Sequence, residues 1–348
     1  MHFASDNWAG AHPKIAENLS RHASGFASAY GTSTLDKALE QTFNEIFERE
    51  VAVFFVGTGT AANSLAQASI ARPGGVTLAH RGAHIIEDEG GAPEFLTGAR
   101  LQAVDGPIGR MNIDNLEAAV KGFRSGDVHA GRPMGVSITQ STEIGTLYEL
   151  GEIAAVAALC RKNGLPLHMD GARFANALVS LGCSPADMTW RQGVDILSFG
   201  GTKNGCWCAE ALVFMDPAKA QDMPFIRKRS AQLFSKSRFI AAQFEAYFAG
   251  GLWLDLARHA NAMAARLANH ITASSSLRLA WQPRANEVFA ILAEETAAAL
   301  HANNAIFYDW KPPHSERHLV GTNETLIRLV TSYATSAEEI DRFGRLIA

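Results

Sequence analysis

The stretch "VAVFFVGTGTAANSLAQASIA", residues 51–71, decides the fold. Val51 to Val56 are apolar without the alternation of a half-exposed strand, so they read as a strand buried on both faces. The strand passes directly into Gly57, Thr58 and Gly59, and the small residues after them open a helix. Strand, glycine turn and helix in that order form the repeating unit of a parallel α/β sheet covered on both sides.

The same grammar continues outward. In "TLDKALEQTFNEIFERE" (34–50), Leu35, Leu39, Phe43, Ile46 and Phe47 share one helical face. Further strands are expected at "VTLAH" (76–80), "RLQAV" (100–104), "MGVSITQ" (134–140), "PLHMD" (166–170), "DILSF" (195–199) and "ALVFM" (211–215). Helical stretches such as "IDNLEAAVKGF" and "ELGEIAAVAALCRKNG" lie between several of them. The fold class is therefore α/β, with a mostly parallel seven-stranded sheet between helices. After residue 216 the chain turns helical, and the short strands "ANEVFAIL", "IFYDW" and "TLIRLVTSY" then suggest a smaller α+β domain. The expected division is an N-terminal segment at 1–30 that contributes to a cleft, a large domain at 31–250 and a small C-terminal domain at 251–348.

Composition narrows the function classes. Over 348 residues, 47% are hydrophobic and 19% charged, as in a packed globular chain rather than a disordered one. A net charge of −4 and a pI near 6.3 offer nothing to a phosphate backbone, so no nucleic-acid partner is expected. No apolar run approaches the ~20 residues of a membrane helix, so no membrane partner is expected either. "MHFASDNWAG" has neither the basic region nor the apolar core of a signal peptide, and the expected location is cytoplasmic. Cys160, Cys183, Cys206 and Cys208 read as reduced thiols, and no metal site is expected from them.

Ligands of parallel α/β sheets bind beyond the carboxyl ends of the strands, and four polar elements fall there. Gly59 and Thr60 open a helix whose free N–H groups suit an anion such as phosphate, although glycine turns of this kind are common without one. The segment matches neither G-x-x-x-x-G-K-[ST] nor G-x-G-x-x-G, which disfavours a classical ATP or NAD site. Asp170 ends the strand of "LHMDGARF" (167–174), where a carboxylate can meet a ribose, a metal or a protonated ring nitrogen, or can cap the next helix. Lys203, in "VDILSFGGTKNG" (194–205), is flanked by Gly200, Gly201 and Gly205. A solvated loop lysine is the commoner case, but a lysine in a partly desolvated cleft can form a Schiff base. His84 follows "VTLAH" and can stack on a flat ring or transfer a proton, or can be an ordinary surface or capping residue. An anion cradle, then a strand-end aspartate, then a glycine-flanked lysine is an order that suits pyridoxal 5′-phosphate.

With these residues in place, the sequence resembles the low-specificity threonine aldolases, in the β-eliminating-lyase branch of the fold-type I pyridoxal-phosphate enzymes. The resemblance runs from "SDNWAG" to "LIRLVTSY" and is most specific in "GTGTAAN", "AHIIEDEGGAPEFLTG", "DGARFANA" and the lysine segment. It implies the fold-type I transferase fold and retro-aldol cleavage of a β-hydroxy-α-amino acid, of the threonine, allo-threonine or phenylserine type, to glycine and an aldehyde. By the same resemblance Lys203 carries the cofactor, Asp170 holds its ring nitrogen, His84 stacks on the ring, and Arg173 lies near the cofactor and the substrate carboxylate. Ser5 becomes a carboxylate contact, Arg328 of "IRLVT" a bidentate clamp, and His129 of "GDVHAGRP" a contact for the substrate hydroxyl. His84, His129 and a bound water remain alternatives for the base. The resemblance also implies a homo-oligomer, a tetramer built as a dimer of dimers with shared sites; basic residues of the "IRKR" run such as Lys228 either reach a neighbour's phosphate or are solvated helix charges.

The chain departs from the commoner family pattern at "QSTE" (140–143), where many members carry E-N-T-H, and at "SFGGTKNGCWCAEA", where many carry an S-K-G-L-G type segment. The alternatives are β-elimination, racemisation or hydroxymethyl transfer on the same cofactor, or a non-catalytic α/β binding protein.

Overall fold

A computed structural model of the chain describes residues 1–123 and 127–348. Seven strands form the main sheet: β1 (Ala52–Val56), β2 (Gly75–His80), β3 (Arg100–Val104), β4 (Arg132–Thr139), β5 (Leu167–Gly171), β6 (Ile196–Gly200) and β7 (Glu210–Phe214). Their order is β1-β7-β6-β5-β4-β2-β3. Neighbours from β6 to β3 pair in parallel, whereas β7 runs antiparallel to both β1 and β6. The antiparallel strand follows from chain length. Too few residues separate Gly200 from Glu210 for a crossover, so the chain must double back. The carboxyl ends of β1 to β6 and the amino end of β7 consequently share one edge of the sheet.

All residues of β2, β5, β6 and β7 are buried, as continuous apolar strands between two helical layers should be. On one side the helix Thr34–Phe47, started by a Ser33–Asp36 capping box, buries Leu39, Phe43 and Phe47. Phe43 meets the edges or faces of Phe199, Phe244 and Phe248 at ring separations of 5.5, 5.8 and 5.2 Å, which ties this helix to β6 and to the helix Arg238–Phe248. On the other side the helix Gly59–Ser69 is buried continuously from Ala61 to Gln67. Asn63 and Gln67, four residues apart, turn their amides toward the sheet.

A second sheet has the order β10-β11-β9-β8, built from β8 (Leu277–Leu279), β9 (Glu287–Ala293), β10 (Tyr308–Trp310) and β11 (Glu324–Val330). The helix Leu252–Ala273 leads from the first core into this one, where Leu267 and Ile271 pack with Phe343. The N-terminus belongs to this core too. Phe3 donates its N–H to Ile306 at 2.7 Å and accepts from Val330 at 2.8 Å, with its side chain fully buried. Fixing residues 1–3 holds Asp6 within reach of Arg173, just beyond β5. Among the described residues no helix is long and apolar enough to cross a membrane.

Candidate active site

At the shared edge of the main sheet lies a cavity of about 390 Å³, within the range of small-ligand sites. The turn after β1 gives it Gly59 and Thr60, the turn after β2 gives His84, β5 gives Asp170, the turn after β6 gives Lys203, and the start of β7 gives Glu210. Lys203 needs its glycines. A Cβ on Gly200 would stand 2.5 Å from the Ala172 carbonyl oxygen, and one on Gly201 would stand 2.7 Å from that of Ala209. The turn folds so tightly against β5 and β7 that side chains there would force it apart. The Lys203 amine is half-buried and has no hydrogen bond or ion pair among the described residues.

Asp170 and His84 are joined through residues that the sequence reading did not single out. Asn63 donates to Asp170 Oδ2 at 2.8 Å and to Glu89 Oε1 at 2.7 Å, and His84 Nδ1 lies 3.0 Å from the same Glu89 oxygen. The Ala172 N–H holds the other Asp170 oxygen at 3.0 Å. The bond to Glu89 raises the His84 pKa, while burial raises that of Glu89. The pair keeps a proton on the Nδ1 side and leaves Nε2 as the nitrogen free for the cavity. Below Asp170 on the same face of β5, His168 is fully buried between Ser137 and Ser198, at 2.8 and 2.9 Å. Burial pushes its pKa down to about 4, so it is a neutral part of the floor.

The cradle has free donors. Thr58 caps the helix through its Oγ1, which accepts from Ala61 N–H at 3.1 Å, and its carbonyl accepts from Ala62 N–H at 3.1 Å. The N–H groups of Gly59 and Thr60 are left without an intrachain acceptor among the described residues, and a Cβ on Gly59 would meet nothing within 4 Å. Space and unspent donors together fit a phosphate.

The arginines lie deeper. Arg173, only 4% exposed at its side chain, gives Nε and Nη2 to Asp6 at 2.8 and 3.1 Å, and its Nη1 lies 3.2 Å from Glu287. Arg328 stands with Nη1 3.7 Å from Glu287, its guanidinium 4.1 Å above the Trp310 ring, and Nη2 on the Ala4 carbonyl at 3.3 Å. Burial pushes the Glu287 carboxyl up to about 7, even beside these two cations. Ser5 is half-buried and accepts from Asn7 N–H at 3.1 Å, and it is Asn7 that lines the cavity. His129 is exposed and lies away from this cluster. Its loop is tied to the amino ends of β2 and β3, by Arg132 N–H to Gly74 and by Arg100 to Ala130 at 2.9 Å each. The length of β4 separates it from the site of its own chain, and Gly126 of the same segment lies outside the described residues. Glu143 lines the cavity and also a larger cleft of about 960 Å³ toward the second sheet, walled by Ile144, Trp310, Pro312 and Pro313.

A sheet of this order, with a lysine amine, a strand-end carboxylate and an anion cradle on one edge, defines a fold-type I pyridoxal-phosphate enzyme. The comparisons agree. The beta-eliminating lyase family matches residues 2–295, and the chain belongs to that family. A low specificity L-threonine aldolase of Pseudomonas aeruginosa is 38% identical over 307 residues, 88% of each chain, and one of a Pseudomonas species is 38% identical over 308 residues. A solved threonine aldolase of Leishmania major superposes with a TM-score of 0.91 over 99% of both chains, at 31% identity. The family uses pyridoxal phosphate, and the donors described above fit that group.

The residues missing from the sequence reading carried weak signals. Glu210 is the one charged residue of a wholly buried strand, and Asn63 and Gln67 are the only amide side chains of a buried helix. Glu89 sits in an acidic loop where nothing distinguishes it from Glu87 or Asp88.

Proposed function

We propose that this chain is a pyridoxal-phosphate-dependent aldehyde-lyase that cleaves the Cα–Cβ bond of a β-hydroxy-α-amino acid to give glycine and an aldehyde. The observation that carries the reading is the convergence of Lys203, Asp170, His84 and the Gly59–Thr60 donors on one cavity. The names of the relatives above support the substrate class.

Lys203 would hold the cofactor's aldehyde carbon through its unpaired amine, Gly59 and Thr60 its phosphate, and Asp170 its ring nitrogen, with His84 against the ring. When bound, the group supplies an electron sink for the pair left on Cα. Asn63 and the Ala172 N–H fix Asp170 from two sides, so that its charge is positioned before substrate arrives. The arginine cluster binds the substrate carboxylate. Arg173 is held by Asp6 and by Glu287 at 3.2 Å, whereas Arg328 has only the longer 3.7 Å approach to Glu287, whose carboxyl burial pushes up. Arg328 is the arginine with donors to offer, because the Nε and Nη2 donors of Arg173 are spent on Asp6; Ser5, next in the chain to the Ala4 carbonyl that Arg328 meets, is a further carboxylate contact.

The β-hydroxyl proton goes to His84 Nε2, to a water held by it, or to His129. The placement of His129 at the far end of its own sheet supports its reaching a neighbouring subunit, in a homotetramer with shared sites. Lys228, held over the Tyr30 ring at 5.6 Å, is a further candidate for a neighbour's phosphate. The cleft beyond Glu143 supports side chains larger than the methyl of threonine, including an aryl group. A cytoplasmic location and the three-part division at residues 30 and 250 belong to the same proposal.

The test is product analysis. Threonine, allo-threonine and phenylserine should each be scored for glycine and the matching aldehyde, without a folate. Formation of a 2-oxo acid, or of the opposite enantiomer without aldehyde, would replace the aldolase reading with β-elimination or racemisation.

A further inference from the structure

Glu210 is a buried acid that the chemistry above does not use. As the first residue of β7 it pairs with Val56 on one side and Gly200 on the other. Val56 runs directly into the Gly57–Thr60 turn and Gly200 into the Lys203 turn, so Glu210 stands between the cradle and the lysine. It is 6% exposed, and it lines the same cavity as Gly59, Thr60 and Lys203. Its Oε1 accepts from Thr202 N–H at 3.3 Å, and no cation lies within ion-pair distance of it among the described residues. A carboxylate in that position would face the phosphate of the cofactor with like charge.

We propose that Glu210 is a neutral carboxylic acid in the cofactor-bound enzyme and donates its O–H to a phosphate oxygen, so that it is a binding residue for that group. The inference rests on the phosphate occupying the Gly59–Thr60 cradle as proposed above. An ionised carboxylate only accepts hydrogen bonds, whereas its acid form donates one, and O–H donation to a charged oxygen is among the stronger bonds available.

The surroundings favour the neutral form. Burial is the largest influence and pushes the Glu210 carboxyl up to about 7. Asp170, at the end of β5, acts in the same direction, and Lys203 and the Thr202 hydrogen bonds act against it. The other titratable groups near it are Cys206 and Tyr247, both held neutral by burial, and Cys208, His84, Glu89 and Glu143 in the cavity wall. A bound phosphate carries about −1.5 to −2 charges near neutral pH and drives the carboxyl pKa higher still. Cofactor binding therefore takes up a proton at Glu210, and affinity must fall as pH rises through the value of the free enzyme.

The experiment is the dissociation constant of pyridoxal phosphate for wild type and Glu210→Gln across pH 6 to 9. Glutamine keeps the shape and a donor but does not titrate. Lys203 and the cofactor titrate in both proteins, so the ratio of constants, wild type over variant, isolates Glu210. That ratio should stay near one at pH 6 and climb by up to about tenfold per pH unit above about pH 7. With pyridoxal, which lacks the phosphate, it should stay flat. A flat ratio for pyridoxal phosphate, or weaker binding by the variant at every pH, overturns the inference. The second outcome would mean that an ionised Glu210 serves a cation. Wild type alone gives an independent reading at pH 8, where adding the cofactor should produce the infrared carbonyl band of a protonated carboxylic acid; its absence overturns the inference even if the variant does not fold. If neither protein binds the cofactor, the proposed function falls as well, whereas tight binding with a flat ratio removes only this inference.

Discussion

The Asp6 carboxylate grips Arg173 through two bonds, 2.8 Å to Nε and 3.1 Å to Nη2, and so fastens the N-terminal segment to the end of β5. Burial pushes the Asp6 carboxyl up, but the Arg173 charge and hydrogen bonds, with Lys203 and Asn286, more than offset this and hold it below the ordinary value. A depressed carboxylate stabilises the fold fully above its unfolded pKa of about 3.9 and loses that contribution as pH falls through its lower folded value. Asp6→Ala leaves a buried guanidinium short of its main partner. The expected loss is about 3–5 kcal/mol in urea unfolding at pH 7. A loss under about 1 kcal/mol would show that Asp6 does not anchor this segment.

Glu89→Gln replaces the anionic hydrogen-bond partner that raises His84 with a neutral one. The His84 titration should move down, read from its ring proton resonances, and the acid limb of kcat/KM should move with it if His84 Nε2 is the base. The sign follows from the raised value. A base that is protonated too readily becomes available at lower pH once its anionic partner is gone. An unmoved His84 titration would mean that Glu89 serves Asn63 alone.

Asp170→Ala should lower kcat by about 100-fold or more with the fold intact, since a positioned charge at the electron sink is lost. Asn63→Ala should give a smaller fall, because the Ala172 N–H still holds one Asp170 oxygen. Equal losses in the two variants would contradict this ranking.

Arg328→Lys keeps the charge but not the planar fork or the stacking on Trp310. KM for the amino acid should rise by about tenfold or more, with a smaller change in kcat. An unchanged KM would move the carboxylate site elsewhere.

The placement of His129 makes a subunit-exchange prediction. His129→Ala and Lys203→Ala should each be poorly active alone, and mixed oligomers should recover activity if His129 serves a neighbour's site. No recovery, with His129→Ala close to wild type, would remove the residue from the mechanism.

How much of this was legible in the sequence depended on whether a residue's partner is near it along the chain. β1, β2, β5, β6 and β7 were legible because their runs are mostly apolar and buried throughout or nearly so, whereas β3 carries Arg100 and Gln102 and is only partly buried. The antiparallel course of β7 is a matter of loop length, which periodicity does not report. β8 is three residues long, too short for any period. Lys203, Asp170, Gly59 and His84 stood out because strand ends are where ligands bind. The commitment of Arg173 to Asp6 is a contact across 167 positions, and no local pattern shows which guanidinium donors are already spent. Glu89 and Asn63 are 26 positions apart and meet only once the helix Gly59–Ser69 lies on the sheet.

The most direct test of the central claim is the visible absorption spectrum of the purified protein with pyridoxal phosphate, before and after borohydride, followed by peptide mapping. A yellow band should bleach on reduction and leave the pyridoxyl group on Lys203. A label on another lysine, or no band with cofactor added, would contradict the account and return Lys203 to the status of an ordinary turn residue.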